Sequence, residues 1–523
     1  MKARAGLFFL SALLLHLALY LPSLPNQLVY DDTYFVTQNP VVSGRAPLAS
    51  AFTRPYYDAE KRNTLAYRPL GSLSMGLSVR LYGPSPALLR LENMLWAAAG
   101  AALFGVLLFR LSGQSSVAWL GLSLLSCHPI RSEAVLTIVG RSELVSFCCL
   151  VLAVILALDA LERESTALAL GSAASYLAAI LAKENGIVTP ALLAACVLLA
   201  PPCAGIRERL FRRPAGLLSL AAFWGLALVL AFVPRRLVLG GLISGPDAIV
   251  DPLFNMLRAL PTGARPGAGL ALLATFFERL LWPATLCGDY AAWSFSREWL
   301  TSPAPAFLGA GLLLAFLALG AFSRRRLPLV SLGIAWLLAA YLPFSNILFV
   351  HGTAFAERLL TVPVAGFLIA VAAAVGAAVG AAASGREGGG RRIVALVAIS
   401  ACLLGAARIW RRIPDFRTEE TFFAAVVRDY PGNARAHWVL GVAALSRRDR
   451  EGAVQGIGTA LAGYPDFTGL ALDYAIDGMR RGDRETARTI VLAFRRSGIV
   501  PEAPAAGILS ALEKDLGGDP QRP

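Results

Sequence analysis

Along residues 1–410, runs of apolar residues alternate with short polar loops. Windows that could cross a membrane fall at 7–21, 91–109, 117–129, 144–158, 167–182, 186–200, 217–233, 305–322, 327–341, 359–383 and 393–407. A helix perpendicular to a bilayer needs about 20 apolar residues. Several of these windows are shorter, so their ends are soft. Two further segments are ambiguous. Residues 67–84 carry Arg68 and Arg80 among small polar residues, and residues 269–286 carry Glu278 and Arg279 near their middle.

Loop charge decides between them. The segments MKAR, FRLSGQ, LERE, RERLFRRP, SRRR and SGREGGGRR share one side if the N-terminus is cytoplasmic and neither ambiguous segment crosses. Counting only 269–286 as a span would move SRRR and SGREGGGRR to the other side and break the charge rule twice. Both segments are therefore expected to lie as amphipathic helices at the outer interface. About eleven spans follow, and the odd number puts the C-terminus outside. The polar residues of unusual type then all face outward: Asp31 and Asp32, HPIRSEAVLTIVGRSE, AKENG, the 234–301 stretch with CGDY, and LPFSNILFVHGTAFAERLL. The inward loops are short and basic.

Composition agrees with an all-α, polytopic membrane protein. Of 523 residues, 56% are hydrophobic and 16% charged, and the mean hydropathy is +0.60. The net charge of +14 sits in the inward loops, which reads as topology and not as nucleic-acid binding. The seven cysteines lie mostly in or beside apolar segments and show neither CxxC nor Cys/His metal spacing. The apolar N-terminal run lacks an A-x-A-like cleavage site and is read as a retained first span. No P-loop, GxGxxG, zincin, GxSxG or kinase set is present. GREGGGRR, at 385–392, lacks a Lys-Ser/Thr and reads as a flexible inward loop.

Hydropathy falls from about residue 413 while helical periodicity continues, which divides the chain into a membrane domain at 1–410 and an external helical domain at 411–523. Leu440, Gly441, Ala453, Ile457, Ala460 and Pro465 fit the tetratricopeptide pattern. Pro431 precedes Pro465 by 34 positions, one repeat length. Phe423 and Ala487 mark partial repeats on either side.

Six outward motifs occur in a recognisable order: YDDTYFVTQNPVV, YRPLGSLSMGLSVRLYGPSPALLRLEN, CHPIRSEAVLTIVGRSELVS, LAKENGIVTP, RLLWPATLCGDYAAW and LPFSNILFVHGTAFAERLLTVP. Together with the trailing repeat they resemble the transmembrane-and-tetratricopeptide (TMTC-type) O-mannosyltransferases and their bacterial relatives, over essentially the whole chain. Each motif is modest alone; six in order are specific. The resemblance implies a GT-C glycosyltransferase fold, a polyprenyl-phosphate-linked sugar donor and a site at the outer membrane surface. The chain departs where Arg90 and Ala97 stand, positions at which the family often has His, and in its shorter repeat array. The Ala/Gly/Arg-rich composition suggests a bacterial inner membrane, so the sugar and the protein or glycan acceptor need not be those of animal relatives.

Within that frame, Asp31 and Asp32 are candidates for the general base that takes the acceptor hydroxyl's proton. From sequence alone an Asx turn or helix N-cap is the commoner explanation of two adjacent acids, and the resemblance tips the reading to function. The choice between the two stays open, with a slight preference for Asp31. The leaving phosphate needs cations or N–H donors, for which Lys183, Arg358, Arg141 and Arg68 are candidates, against snorkelling anchors or ion pairs. His128, Glu133, Glu184, Asp289, Tyr290, His351 and Glu357 complete the outward set. His16, inside the first span, is expected to hydrogen-bond within its helix or to a neighbouring one. No firm cofactor follows; a divalent cation (Mg or Mn) is compatible with the fold class, but adjacent Asp side chains point apart and make a weak clamp. The helical domain is expected to hold a protein partner or acceptor. A transporter would show charged midspan helices and internal duplication, which are not evident. A noncatalytic scaffold displaying the repeats would be indifferent to both Asp residues.

Overall fold

The computed structural model describes residues 2–57, 66–212, 214–241, 252–291, 293–384 and 389–517. No strand occurs among them. In chain order the helices begin with α1 (Lys2–Tyr20), α2 (Asp31–Gln38), α3 (Pro69–Tyr82), α4 (Pro86–Ser112), α5 (Ser115–Cys127), α6 (Ser132–Leu136) and α7 (Arg141–Arg163). Next come α8 (Thr166–Ala182), α9 (Thr189–Leu199), α10 (Ala204–Arg212), α11 (Ala215–Leu239), α12 (Arg265–Leu281) and α13 (Arg297–Thr301). The last apolar helices are α14 (Pro303–Ser323), α15 (Pro328–Tyr341), α16 (Thr361–Ser384) and α17 (Gly389–Arg412). The C-terminal part holds α18 (Glu419–Asp429), α19 (Ala434–Ser446), α20 (Arg450–Gly463), α21 (Phe467–Arg480), α22 (Arg484–Ser497) and α23 (Ala505–Asp515).

Each apolar window of the sequence falls on a helix. Seven are long and apolar enough to cross a membrane: α1, α4, α7, α11, α14, α16 and α17. Three are shorter apolar helices, α5, α8 and α15, and α9 forms with α10 a pair bent by 89°. The bend follows Ala200, where Pro201 and Pro202 remove two backbone donors in succession. Beyond it the arginine-rich α10 turns away from the bundle direction. Local signals set the other ends. Ser85 and Ser165 cap α4 and α8, accepting from Leu88 N and Leu168 N. Gly113, at φ 69°, ends α4 in the left-handed conformation that glycine adopts without steric cost.

Small residues bring the spans close. A Cβ on Gly333 of α15 would lie 2.5 Å from Gly366 O of α16, and one on Gly366 would lie 2.4 Å from Leu337 N. This backbone-to-backbone seam is the small-residue packing by which helices associate in lipid, where burial of apolar area gives no drive. Exposed apolar side chains such as Leu218, Phe307, Leu314 and Leu404 cover the outside of the bundle, as expected of a lipid-facing surface.

The two ends of the bundle differ in chemistry. At one, the basic loops converge: Arg110 lies 3.5 Å from Asp159, and Arg209 3.7 Å from Glu164. At the other gather the segments that carry the unusual polar motifs. Of the GREGGGRR segment, 385–388 lie outside the described residues, and 389–392 are not loop but the first turn of α17.

The two ambiguous segments are helices α3 and α12, and neither is among the span candidates. However, α12 is not a half-exposed interfacial helix. Nearly all of it from Ala268 to Leu280 is buried. Gly309 of α14 sits on the Leu270 carbonyl, Phe276 stacks on Tyr341 at 4.2 Å, and Phe277 stacks on Phe316 at 4.4 Å. Arg279 donates to the Tyr430 hydroxyl at 3.0 Å, so the C-terminal part covers the helix as well.

In that C-terminal part, α19 pairs with α20 and α21 with α22. Gly441 and Gly456 face each other so closely that a Cβ on Gly456 would be 2.7 Å from Gly441 Cα. Two helical hairpins are therefore complete, one more than the sequence pattern suggested. Residues 413–438 pack on the membrane domain. Asn26 Nδ2 donates to Ile413 O at 2.9 Å, Gln27 N to Arg417 O at 2.9 Å, and Asn433 Nδ2 to Ser294 Oγ at 2.9 Å.

Candidate active site

The two acids of the first loop have opposite fates. Asp32 is fully buried, and its Oδ2 and Oδ1 accept the backbone N–H groups of Ile138 and Val139, each at 2.9 Å. It pins α2 to the connection between α6 and α7. Burial pushes its carboxyl up to about 6, although the two amides and Arg90 pull in the other direction. Asp31 starts the same helix but points elsewhere, with 22% of its side chain exposed and its Oδ2 3.7 Å from Arg358 Nη2. The adjacent side chains diverge, as expected from their spacing.

Arg358 sits between two carboxylates. Its Nη1 donates to Glu133 Oε1 at 2.6 Å and its backbone N to Glu133 Oε2 at 2.8 Å, while Nη2 faces Asp31. Glu133 is buried, so this pair fixes the guanidinium. Next along the chain, Glu357 is fully buried. It lies 2.5 Å from Arg412 and accepts from the Tyr290 hydroxyl and Cys287 N at 2.6 Å each. Glu357 and Tyr290 are thus framework, holding the loop that carries Asp289.

A second group of cations lies beside the first. Arg68 Nε donates to Glu184 at 2.9 Å, and Arg235 lies 3.2 Å from the other oxygen of the same carboxylate. Lys183 is buried and donates to Glu143, which also accepts from Asn185 at 2.8 Å. Desolvation lowers Lys183 to about 8, against the pull of Glu143. The charges of Arg68 and Arg358 both act on it, which places the three cations in one region. Tyr57 feels Asp31, Arg68 and Arg358 at once and joins the two groups. An aromatic wall of Phe35, Tyr56 and Tyr57 lies alongside, with Phe35 stacked on Tyr56 at 4.2 Å and Arg68 over the Tyr56 ring at 5.1 Å.

Not every expected residue belongs to this ring. Arg141 is fully buried, donating from Nε to Asn93 at 3.0 Å, from Nη1 to Ser78 at 2.8 Å and from Nη2 to Leu89 O at 2.8 Å. Its three nitrogens lock α7 to α3 and α4, so a phosphate contact is not available to it. His128 bonds through Nε2 to Leu280 O at 3.2 Å and accepts Ile130 N on Nδ1 at 3.4 Å. It is a helix-end histidine that holds the turn after α5, and burial lowers it to about 4. His351 stays near the cations, its Nδ1 accepting Thr353 N at 3.4 Å, and burial lowers it to about 4 as well. His16 bonds to Ala12 O at 2.8 Å inside α1. Among the described residues no group of three or more His, Cys, Asp or Glu could hold a metal ion.

This arrangement can bind an anion and deprotonate a neighbouring group. Comparison with known proteins points the same way. The chain is similar to the protein O-mannosyl-transferases. It is 23% identical over 81% of its length to the F38B6.6 protein O-mannosyl-transferase of Caenorhabditis elegans, of which the match covers 58%. It is 27% identical over 83% of its length to Tmtc1 of Drosophila melanogaster, with 59% of that protein covered. Identity to human TMTC3 is 25% over 87% of this chain and 51% of that protein. The chain thus spans between half and three-fifths of these relatives' length. No protein-family model matches it. No solved structure matches it. The TMTC resemblance drawn from the six motifs is borne out by these relatives. All three are animal proteins, so they lend no support to a bacterial membrane.

Two arginines outside the candidate site set also shape this region. Arg90, where His is common in the family, is fully buried and donates to Leu136 O, Ser23 O, Asn26 O and Gln27 O at 2.7–3.2 Å. It ties the end of α1 to α6 and so shapes the loop of Asp31. Its departure from the family pattern was the available signal. Arg435 of α19 reaches the site from the C-terminal part, with Nη1 3.3 Å from the Tyr30 hydroxyl and 3.9 Å from Asp289 Oδ2. Burial raises the Asp289 carboxyl, and Arg435 opposes that rise. Nothing in the tail's periodicity marks Arg435.

Proposed function

We propose that this chain is a membrane glycosyltransferase that moves mannose or a similar sugar from a polyprenyl-phosphate donor to a hydroxyl of a protein acceptor, with Asp31 as the base. One observation carries this reading. Of the two first-loop acids, Asp31 alone keeps an accessible carboxylate, and it stands 3.7 Å from a guanidinium that is itself fixed by a buried acid.

In this reaction Asp31 takes the proton of the acceptor hydroxyl. The oxygen attacks the anomeric carbon, and the bond from that carbon to the phosphate oxygen breaks. The leaving group is a phosphate, already a stable anion, so no strong general acid is needed. Arg358 Nη2 and both Nη of Arg68 make no hydrogen bond among the described residues and would hold that phosphate as its charge grows, and Lys183 adds field from behind. The lipid tail lies along the apolar bundle. The site would face away from the basic loops, outside the cytoplasm by the positive-inside rule, and the paired C-terminal helices would present the acceptor.

The test is transfer from a synthetic polyprenyl-phosphate mannose to a Ser/Thr peptide by the purified protein in nanodiscs. Turnover by the native chain and its loss in Asp31→Asn are expected. A well-folded native protein that consumes none of several lipid-linked sugars would end this reading.

A further inference from the structure

The C-terminal helices do more than sit near the site. Tyr30, directly before Asp31, has φ 57° and ψ −126°, a backbone region that bulky residues seldom occupy. Such a conformation persists only where its surroundings over-determine it. Those surroundings come largely from residues 413–438. The Tyr30 ring stacks on Phe422 with centroids 5.2 Å apart and meets Phe423 edge-on at 6.2 Å. The Arg435 guanidinium lies 4.6 Å from the ring centre. At the hydroxyl the polar contacts form a chain: Arg435 donates to Tyr30 at 3.3 Å, and Tyr30 donates to Asp289 Oδ1 at 3.3 Å. The second Asp289 oxygen is buried without a hydrogen bond among the described residues and faces Arg435 at 3.9 Å.

We propose that Arg435 is a positioning residue for Asp31, acting through Tyr30, so that the C-terminal helices complete the active site instead of only recruiting the acceptor. This rests on Asp31 being the base. Without the guanidinium, the buried Asp289 carboxylate loses its ion-pair partner, and the Tyr30 ring loses the nearer of its two guanidinium neighbours, Phe422 and the more distant Arg358 remaining. The strained backbone at Tyr30 then relaxes, and Asp31 is the next residue to move. A displacement of about 1 Å at a reacting group costs about 100-fold in rate. Lys at 435 keeps the charge near Asp289 but not the planar group over the ring, so it restores only part of the effect.

The experiment uses the full chain in nanodiscs, as native protein, Arg435→Ala and Arg435→Lys. Two readouts are taken: transfer of mannose from a polyprenyl-phosphate donor to a short Ser/Thr peptide, and hydrogen exchange of the peptide covering residues 27–38. Arg435→Ala is expected to lower kcat by about 10- to 100-fold with donor KM within about threefold, to lower the melting temperature because Asp289 is left buried without its cation, and to speed exchange in 27–38 more than in the other helices of the bundle. Arg435→Lys is expected to lie between. Unchanged exchange in Arg435→Ala overturns the proposal, and so does a change in acceptor KM alone. The exchange result decides the positioning role even if the native protein transfers no sugar, an outcome that would instead end the functional reading.

Discussion

Exchanging Asp31 and Asp32 for Asn one at a time separates chemistry from architecture. At Asp32 the new amide oxygen accepts one of the two backbone N–H groups, and its NH2 confronts the other. Losing one charge-assisted bond and leaving one buried amide unpartnered costs about 2–4 kcal/mol. Against this, the substitution removes a buried charge whose desolvation has lifted the carboxyl from 3.8 to about 6, which amounts to about 3 kcal/mol at neutral pH. The two nearly cancel, so Asp32→Asn is expected to fold, with an apparent melting temperature within a few degrees of the native chain and transfer activity retained. The pH dependence follows from the direction of the change. Because the folded value is raised, the contribution of Asp32 is most favourable below about 3.8, is lost as pH rises through about 6, and is level above that. Melting of the native protein should therefore fall over this range by an increment that Asp32→Asn lacks. Asp31→Asn breaks only a part-exposed 3.7 Å pair with Arg358, worth about 0–1 kcal/mol, yet removes the base. Its kcat should drop by about 10²- to 10⁴-fold with melting unchanged. Mannose transfer and thermal shift on the same nanodisc samples give both quantities. A folded but inactive Asp32→Asn beside an active Asp31→Asn would reverse the assignment.

Other substitutions probe the rest of the structure. Arg358→Gln removes the cation nearest Asp31 and should raise donor KM by about 10- to 100-fold; an unchanged donor KM in a folded protein would remove Arg358 from the phosphate site. Lys183→Met leaves Glu143 buried without its cation and should destabilise by about 3–5 kcal/mol, whereas adding Glu143→Gln should recover much of the loss in a thermal shift assay. If the single variant melts like the native protein, the pair contributes nothing. Gly366→Leu forces α15 and α16 apart, because even a Cβ there would lie 2.4 Å from Leu337 N. It should lower yield and melting temperature, while Leu at the open Gly311 position should not.

The apolar helices were legible because a run of lipid-compatible residues is a local property, and every window fell on a helix. The division of labour between Asp31 and Asp32 was not local. It depends on two amides 106 and 107 positions away, which no pattern around YDDTYF reveals. Arg141 shows the converse. An arginine in an outward motif reads as a phosphate ligand, but Asn93, Ser78 and Leu89 O engage all its nitrogens from two other helices. The charged residues of α12 suggested an interfacial helix, because α14 and Tyr430, which cover it, are distant in sequence. His128 and His16 took the capping and intrahelical roles that their positions at or within helices allow.

The contact between Arg435 and Tyr30 joins residues 405 positions apart, and Asn26 bonds to Ile413 across 387. Synthesis runs from the N-terminus, so Tyr30, in the loop holding Asp31, is made 405 residues before Arg435, which supports it. The helices α4 to α17 are made in the interval, before α18 and α19 can dock. A ribosome-bound or truncated chain that stops short of α18 and α19 therefore carries the acid but not its setting, and the site takes shape only after those helices have been made.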